Sequence, residues 1–310
     1  MENMGLSERL ENVGRSSKMD TSSNAEGPQE SINAQICVGV DPSFSNLPAE
    51  LKKFKATVSD EEFLLWYGRK LMSASERTGV KILKFQSAYF EAFGWTGVKA
   101  LETLCKEARG NGFFVIDDAK RGDISTTMEA YGKAAFERCS ADALTVTPYM
   151  GADVITALEP WLRSGRFLYV VLVTSNPSGR ELQLASEGPL NTAERVYDHL
   201  SSHFLHTDLW DRLGFVLGAT QVDAINESFF EKLSASSLLL PGVGAQGASL
   251  TSPRARLILQ NRRNLIPVSR AASGFGGSYK VAGVETVGPD DYEDFVAANI
   301  SRIFNDLGPA

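Results

Sequence analysis

Runs of consecutive apolar residues recur along the chain from residue 36 onward, and stretches with helical periodicity separate them. Apolar runs without polar alternation are typical of strands covered on both faces, as in a parallel sheet. The predicted strands are 36–40, 80–85, 113–116, 143–147, 167–173, 214–218, 238–241 and 265–268. Their alternation with helices predicts an α/β protein with a single TIM (β/α)8 barrel domain, and a doubly wound open sheet is the alternative.

Several of the helical stretches carry start and stop signals. Ser59 followed by Glu62 forms a capping box, which predicts a helix that ends at about Gly79. Further helices are predicted at 97–108, 124–139, 229–233, 254–259 and 291–307.

The first 34 residues differ in composition from the remainder of the chain. They are polar, rich in Ser, Asn, Glu and Gly, and only 6–13 shows a short helical pattern. This composition predicts a flexible polar N-terminal arm at 1–34, followed by the barrel domain at 35–310.

Charge and composition exclude several classes of partner. The chain has 310 residues, 43% of them hydrophobic, and a net charge of −7 without a basic stripe, which argues against nucleic acid or a membrane as partner. It lacks an apolar stretch long enough to span a bilayer and an apolar signal core, so a cytoplasmic location is expected. Cys37, Cys105 and Cys139 are odd in number and widely spaced, which favours core thiols over a disulfide framework or a zinc site.

The three histidines, His199, His203 and His206, lie in one helical stretch. Their spacing of four and three residues could hold a metal ion, but no acidic partner follows the pattern. A solvated helix face is the favoured interpretation, so no histidine is expected to act as a catalytic base.

Charged residues follow the third apolar run directly. Asp118 and Lys120 are two residues apart, and on a strand this spacing places both side chains on one face, at the carboxyl end where barrels hold their active sites. Asp123 follows before the next helical stretch, and three charges of alternating sign are expected to converge on one turn. The alternative is that Asp117 and Asp118 cap the helix; Asp123 is itself a candidate N-cap.

Polar residues follow the other predicted strands as well, and a barrel would gather all of them around one mouth. The set comprises Asp41, Lys84, Asp118, Lys120, Asp123, Thr174, Ser175, Gln246 and Arg270. Glycines at 241–247 would let backbone N–H groups approach an anion, and Arg270 follows the next strand. The glycines alone would indicate only a tight turn, whereas together with Arg270 they predict a phosphate site.

These motifs resemble the orotidine 5′-monophosphate decarboxylase family, in particular its longer bacterial branch. In the family's order they are V-G-V-D-P at 38–42, K-F-Q at 84–86, D-A-K-R-G-D-I at 118–124 with Thr127, T-S-N-P at 174–177, P-G-V-G-A-Q-G at 241–247 and P-V-S-R at 267–270. The chain departs from the family in having Thr147 where Asn usually precedes Pro-Tyr, and V-D-P where L-D-P is commoner.

The resemblance implies a homodimeric TIM barrel that converts orotidine 5′-monophosphate to uridine 5′-monophosphate and CO2, the last step of UMP biosynthesis. It also implies that no metal and no organic cofactor take part. Lys84, Asp118, Lys120 and Asp123 match the family's catalytic charged network, and Lys120 matches its proton donor.

The resemblance extends to the substrate-binding residues. Asp41 matches the residue that holds the ribose hydroxyls, and Ser175 the one that contacts the pyrimidine edge. Gln246 and Arg270 match phosphate contacts. Thr127, together with Asp123, matches residues that reach into the neighbouring subunit's site, so the active sites would be shared across the dimer.

Two other functions fit parts of the pattern. A Mg2+-dependent decarboxylase or aldolase of sugar phosphates would share D-x-K-x-x-D, but the K-F-Q and T-S-N-P segments match the nucleotide enzyme better. A non-catalytic nucleotide-binding protein would have a damaged charged network, whereas all of its charged residues are present in this chain.

Overall fold

A closed barrel of eight parallel strands in sequence order forms the centre of the molecule. The computed structural model describes residues 4–16, 34–44, 46–186, 188–243, 252–276 and 279–307. The barrel strands are β1 Gln35–Val40, β2 Ile82–Phe85, β3 Phe114–Arg121, β4 Ala143–Val146, β5 Phe167–Val173, β6 Leu213–Leu217, β7 Ser237–Leu239 and β8 Leu265–Val268. Because β1 pairs with β8 from Gln35↔Leu265 to Val38↔Val268, the TIM barrel is confirmed and the open sheet is wrong.

Helices follow the strands and cover the barrel. They are α1 Leu6–Ser16, α2 Ala49–Lys55, α3 Asp60–Arg77, α4 Ser87–Glu91, α5 Gly94–Gly110, α6 Ser125–Gly132, α7 Asp153–Thr156, α8 Glu159–Arg163, α9 Pro177–Gln183, α10 Thr192–Phe204, α11 Glu227–Ser234, α12 Pro253–Leu259, α13 Arg270–Ser273 and α14 Tyr292–Leu307. A π-helical segment, Lys133–Arg138, continues α6, and a small antiparallel ribbon pairs β9 Phe275–Gly276 with β10 Tyr279–Lys280.

The predicted signals at the two ends of α3 are present. The Ser59 hydroxyl accepts from the Glu62 N–H at 3.2 Å, and the Glu62 carboxylate accepts from the Ser59 N–H at 2.8 Å, which confirms the capping box. The strand that follows begins at Ile82 rather than Val80, because the Val80 N–H still bonds to the Ser75 carbonyl of the helix end at 2.8 Å.

Apolar residues fill the barrel interior at the amino ends of the strands. This cluster includes Cys37, Ile82, Phe114, Phe167, Tyr169 and Leu265, together with Leu6, Leu10 and Val13 of α1. The helix predicted within the N-terminal arm therefore exists, and its apolar face closes the floor of the barrel. Residues 17–33 lie outside the described residues, so the flexible arm and the domain boundary at 34 stay predictions.

Cysteine placement agrees with the sequence analysis, whereas of the histidines only His199 and His203 lie in the helix α10 and His206 follows its end. All three cysteines are free and buried, and the histidines are exposed. Within the described ranges, no group of three or more His, Cys, Asp or Glu side chains is arranged to hold a metal ion. Within the same ranges, no helix combines the length and the apolar character needed to cross a bilayer.

Candidate active site

A cavity of about 240 Å³ opens at the carboxyl ends of the barrel strands. Its lining contains most of the residues singled out from the sequence, and the lining residues come from seven of the eight strands or the segments that follow them. The lining residues are Asp41, Lys84, Gln86, Asp118, Lys120, Val171, Thr174, Ser175, Val216, Leu239, Pro241, Gly242, Val243, Pro267, Ser269 and Arg270. Of the predicted polar ring, the cavity therefore brings together Asp41, Lys84, Asp118, Lys120, Thr174, Ser175 and Arg270.

Four charged side chains of alternating sign form a chain across this cavity. The Lys84 ammonium lies 2.8 Å from Asp118 Oδ2 and 3.8 Å from Asp41 Oδ1. The Lys120 ammonium lies 2.5 Å from Asp118 Oδ1. Asp118 thus stands between two cations, each bound to a different carboxylate oxygen.

Opposite charge outweighs burial for the two innermost members of this chain. Burial alone would raise the pKa of Asp118, but Lys84 and Lys120 hold this pKa well below its usual value. Burial alone would lower the pKa of Lys84, but Asp118 and Asp41 raise it above its usual value. Both groups are therefore charged at neutral pH although each is almost fully buried.

The end of β3 brings Asp118 and Lys120 together through an irregularity. Asp117 pairs with Leu144 and Arg121 with Val146, so three residues of β3 oppose a single residue of β4. Lys120 has φ +49°, in the left-handed region. The sequence spacing predicted the convergence correctly, but it presumed a regular strand, and β3 extends through the charged residues as a bulge.

Only part of the phosphate site predicted after the last two strands lies within the described residues. Arg270 begins α13 directly after β8 and lines the cavity beside Gly242 and Val243. Among the described residues no acidic side chain forms an ion pair with Arg270, so its guanidinium is available to an anion. Gln246 lies outside the described residues.

β1 and β8 approach each other closely where Asp41 and Ser269 line the cavity. A Cβ atom on Gly39 would lie 2.0 Å from the Ser269 hydroxyl, so only glycine lets the end of β8 pack this near Asp41. Asp41 Oδ1 is buried, and no described residue gives it a hydrogen bond. A buried acceptor that faces a cavity is suited to a hydroxyl donor of a ligand.

The loop after β5 carries Ser175 into the cavity. Its neighbour Thr174 donates from its N–H to Gln183 Oε1 at 2.7 Å and from its hydroxyl to the same oxygen at 3.0 Å. The Ser175 carbonyl accepts from the Thr220 hydroxyl at 2.9 Å. The loop is therefore tied to α9 and to the segment after β6, and Ser175 lines the cavity from this loop.

Asp123 and Thr127 do not line the cavity of their own chain within the described residues. Asp123 Oδ1 accepts from the Ile124 N–H at 2.8 Å, and Thr127 is exposed on α6. One expectation is wrong here, because the N-cap of α6 is Ile124 and not Asp123. The expected convergence of Asp123 with Asp118 and Lys120 stays a prediction, since Asp123 does not join them in the cavity lining. Between Lys120 and Asp123 the chain packs closely on Thr147, where a Cβ added to Gly122 would lie 2.1 Å from the hydroxyl.

Several residues that contact this site were not selected from the sequence. Gln86 and Ser269 line the cavity, and Thr145 contacts both Asp118 and the Lys120 backbone. Gln86 and Ser269 stand in the K-F-Q and P-V-S-R motifs, so their position was a usable signal. Thr145 offered another, because it is a polar residue inside the fully buried strand β4.

Sequence comparisons with known proteins all indicate the same family. The model of the orotidine 5′-phosphate decarboxylase / HUMPS family matches residues 35–271. The orotidine 5′-phosphate decarboxylase of Roseiflexus sp. (strain RS-1) is 39% identical over 242 residues, which cover 76% of this chain and 82% of that one. The Streptomyces coelicolor protein of the same name is 36% identical over 255 residues, covering 78% and 85%.

Solved structures share the architecture. A Streptomyces avermitilis protein, described as a candidate orotidine 5′-phosphate decarboxylase, superposes with a TM-score of 0.67 at 29% identity and covers 97% of this chain and 98% of its own. Leishmania donovani UMP synthase has a TM-score of 0.66 at 24% identity, covering 97% of this chain and 56% of that chain. At that identity the second likeness shows the fold alone.

Proposed function

The chain belongs to the orotidine 5′-phosphate decarboxylase / HUMPS family, and from this premise we propose that it converts orotidine 5′-monophosphate to uridine 5′-monophosphate and CO2. This reaction is the last step of UMP biosynthesis. The observation that carries the proposal is the alternating chain Asp41, Lys84, Asp118 and Lys120, which meets Arg270 in one cavity. A cation at the reacting carbon and a second at the phosphate are what this chemistry needs.

Lys120 is assigned as the group that stabilises and protonates the carbanion. Breaking the bond from C6 to the carboxylate releases CO2 and leaves an electron pair in the ring plane, where the π system cannot delocalise it. An ammonium beside C6 stabilises that pair and then transfers a proton from Nζ to C6, and the neutral amine regains its proton from water. Asp118, 2.5 Å from Lys120 Nζ, supports the assignment because it holds the cation in place.

Asp118 is also assigned to repel the substrate carboxylate that departs as CO2. Two like charges about 4 Å apart at an effective dielectric of about 20 repel by roughly 4 kcal/mol, equivalent to about a thousandfold in rate if the repulsion is fully relieved. Enzymes lower barriers by about 8–23 kcal/mol, so this repulsion is a minor share. Stabilisation of the carbanion, together with phosphate binding energy, carries the larger part.

The remaining lining residues are assigned to the nucleotide. Asp41, whose Oδ1 lacks a hydrogen-bond partner among the described residues, accepts from the ribose hydroxyls. Ser175 contacts the pyrimidine edge from the tethered loop after β5. Arg270, with Gln246, binds the phosphate, in agreement with the usual place of phosphates in barrels after the last two strands.

We further propose a homodimer in which Asp123 and Thr127 complete the partner's site. Neither lines its own cavity within the described residues, although Asp123 is three residues from Lys120. Two large apolar side chains are exposed in this part of the fold: Ile124, next to Asp123, is 44% exposed, and Tyr149, two residues after the Thr147 N–H that donates to the Arg121 carbonyl, is 93% exposed. Exposed apolar side chains that cluster favour an interface with another chain.

The test is the loss of orotidine 5′-monophosphate absorbance by purified protein in the presence of EDTA. We expect rapid conversion by the wild-type chain and a loss of at least about a thousandfold in Lys120→Ala, because both charge stabilisation and proton transfer disappear. Lys52→Ala, an exposed lysine on α2, is the matched control and should keep wild-type activity.

Two outcomes would contradict the proposal. Near-normal turnover in Lys120→Ala would show that Lys120 is not the proton donor. A folded wild-type protein without activity in EDTA, but active toward sugar phosphates with Mg2+, would favour a metal-dependent relative instead.

A further inference from the structure

The bulge at the end of β3 leaves a gap in the barrel's hydrogen-bond ladder. Between the pairs Asp117↔Leu144 and Arg121↔Val146, three residues of β3 face Thr145 alone. A bulge leaves backbone groups of the extra residues without partners on the neighbouring strand. Buried N–H groups need another acceptor, since leaving one unpaired is unfavourable.

The Thr145 side chain fills this gap. Its hydroxyl oxygen accepts from the Lys120 N–H at 2.9 Å, and the same hydroxyl donates to Asp118 Oδ1 at 3.0 Å. A hydroxyl has one proton and two lone pairs, so a single oxygen satisfies both groups at once. Thr145 is fully buried, so its hydroxyl makes these two hydrogen bonds within the protein interior.

These contacts hold Lys120 at both of its ends. The backbone N–H is fixed by Thr145, and the ammonium is fixed by the carboxylate that Thr145 also holds. Lys120 has φ +49°, a conformation that is unfavourable for a residue with a side chain unless its surroundings enforce it. The hydroxyl supplies part of that enforcement. Within the described residues Thr145 does not line the cavity, so it acts through Asp118 and Lys120.

We infer that Thr145 is a positioning residue whose hydroxyl fixes the mutual placement of Asp118 and Lys120 on which proton transfer to the substrate depends. The inference rests on the proposed decarboxylation for its catalytic part. Its geometric part concerns the placement of the Lys120 ammonium and is independent of any reaction.

The experiment compares Thr145→Val with Thr145→Ser. Valine keeps the shape and removes the hydroxyl, whereas serine keeps the hydroxyl and removes a methyl group. We expect kcat to fall by about 10- to 100-fold in the valine variant, with KM within about twofold of wild type, because Thr145 does not contact the nucleotide. The serine variant should stay within about threefold of wild type in both constants.

A second measurement follows Lys120 without any turnover. Competitive acetylation of lysines, quantified on peptides by mass spectrometry, reports how firmly the ammonium is held. We expect Lys120 to label several-fold faster in Thr145→Val than in wild type, and at the wild-type rate in Thr145→Ser. If the valine variant does not fold, Thr145→Ala beside Thr145→Ser gives the same comparison.

The outcomes separate this inference from the proposed function. Wild-type kcat and wild-type labelling in Thr145→Val would overturn the inference, and so would equal losses in the valine and serine variants, which would indicate packing by the methyl group. A wild-type chain without decarboxylase activity would overturn the proposed function and the catalytic part, while labelling would still decide the geometric part.

Discussion

Two neighbouring aspartates show how strongly a residue's surroundings decide its chemistry. Asp118 points into the cavity between Lys84 and Lys120, and these cations lower its pKa. Asp117 lies on the other face of β3, where the Ser87 hydroxyl donates to it, and burial raises its pKa to about 6. The alternative that both residues cap the following helix is wrong, since α6 begins only at Ser125.

Asp117→Asn tests the consequence for stability. The pKa of Asp117 rises from 3.8 to about 6 on folding, chiefly through burial, which the Ser87 hydrogen bond and Arg121 offset only in part. The folded chain therefore binds this proton more tightly than the unfolded chain does. Protonation of Asp117 adds to the free energy of unfolding below pH ~4, and this stabilisation is lost as pH rises through ~6. The free energy of unfolding changes by on the order of 3 kcal/mol over this range.

We expect the free energy of unfolding of Asp117→Asn, measured with urea from pH 4.5 to 8, to decline less with rising pH than that of wild type. Asp290→Asn, an exposed aspartate, is the control and should leave the slope unchanged. Parallel curves for wild type and Asp117→Asn would show that Asp117 does not titrate in this range.

At the scale of elements, the N-terminal helix is part of the barrel. Leu6 and Leu10 of α1 are at most 1% exposed and pack on the interior residues at the amino ends of the strands. The Gln35 side chain donates to the Leu10 carbonyl at 2.9 Å, which ties α1 to the start of β1. The sequence indicated the helix at 6–13, but a short amphipathic pattern does not specify the surface that its apolar face covers.

Leu10→Ala should lower the free energy of unfolding by about 2–5 kcal/mol, because it removes buried methyl groups and leaves a cavity. Glu8→Ala on the exposed face of the same helix should change it by at most about 0.5 kcal/mol. Urea unfolding of both variants measures the difference. Equal, small effects would mean that α1 contributes little to the floor in solution.

At the scale of the whole molecule, the proposed shared sites predict complementation between inactive chains. A Lys120→Ala chain keeps Asp123, and an Asp123→Ala chain keeps an intact cavity. After subunit exchange, half of the dimers are mixed and each has one complete site, so about a quarter of wild-type activity should return. The absorbance assay after mixing measures the recovery.

The matched control is a mixture of Lys120→Ala with Lys84→Ala. Both substitutions damage the cavity of their own chain, so no combination of these chains contains a complete site, and activity should stay absent. Recovery only in the first mixture supports the shared site. No recovery there, with subunit exchange verified by mass spectrometry of the mixed dimer, would contradict it.

The sequence by itself determined the order of strands and helices, because apolar runs and capping boxes such as that at Ser59 and Glu62 are local signals. It also determined that charges stand at strand ends, and the two-residue spacing correctly paired Asp118 with Lys120. Only the tertiary structure decided what lies far apart in sequence but close in space. Pairing of β1 with β2 brings Asp41 to Lys84, and closure of β1 on β8 brings Asp41 to the cavity that Arg270 also lines, since strand register sets these positions.

The bulge that holds Lys120, the close packing of Gly122 on Thr147 and the opposite pKa directions of Asp117 and Asp118 also required the folded chain. Each depends on which side chains from other strands or helices surround the residue. Burial and charge neighbours exist only after the barrel has closed, so no pattern along the chain specifies them.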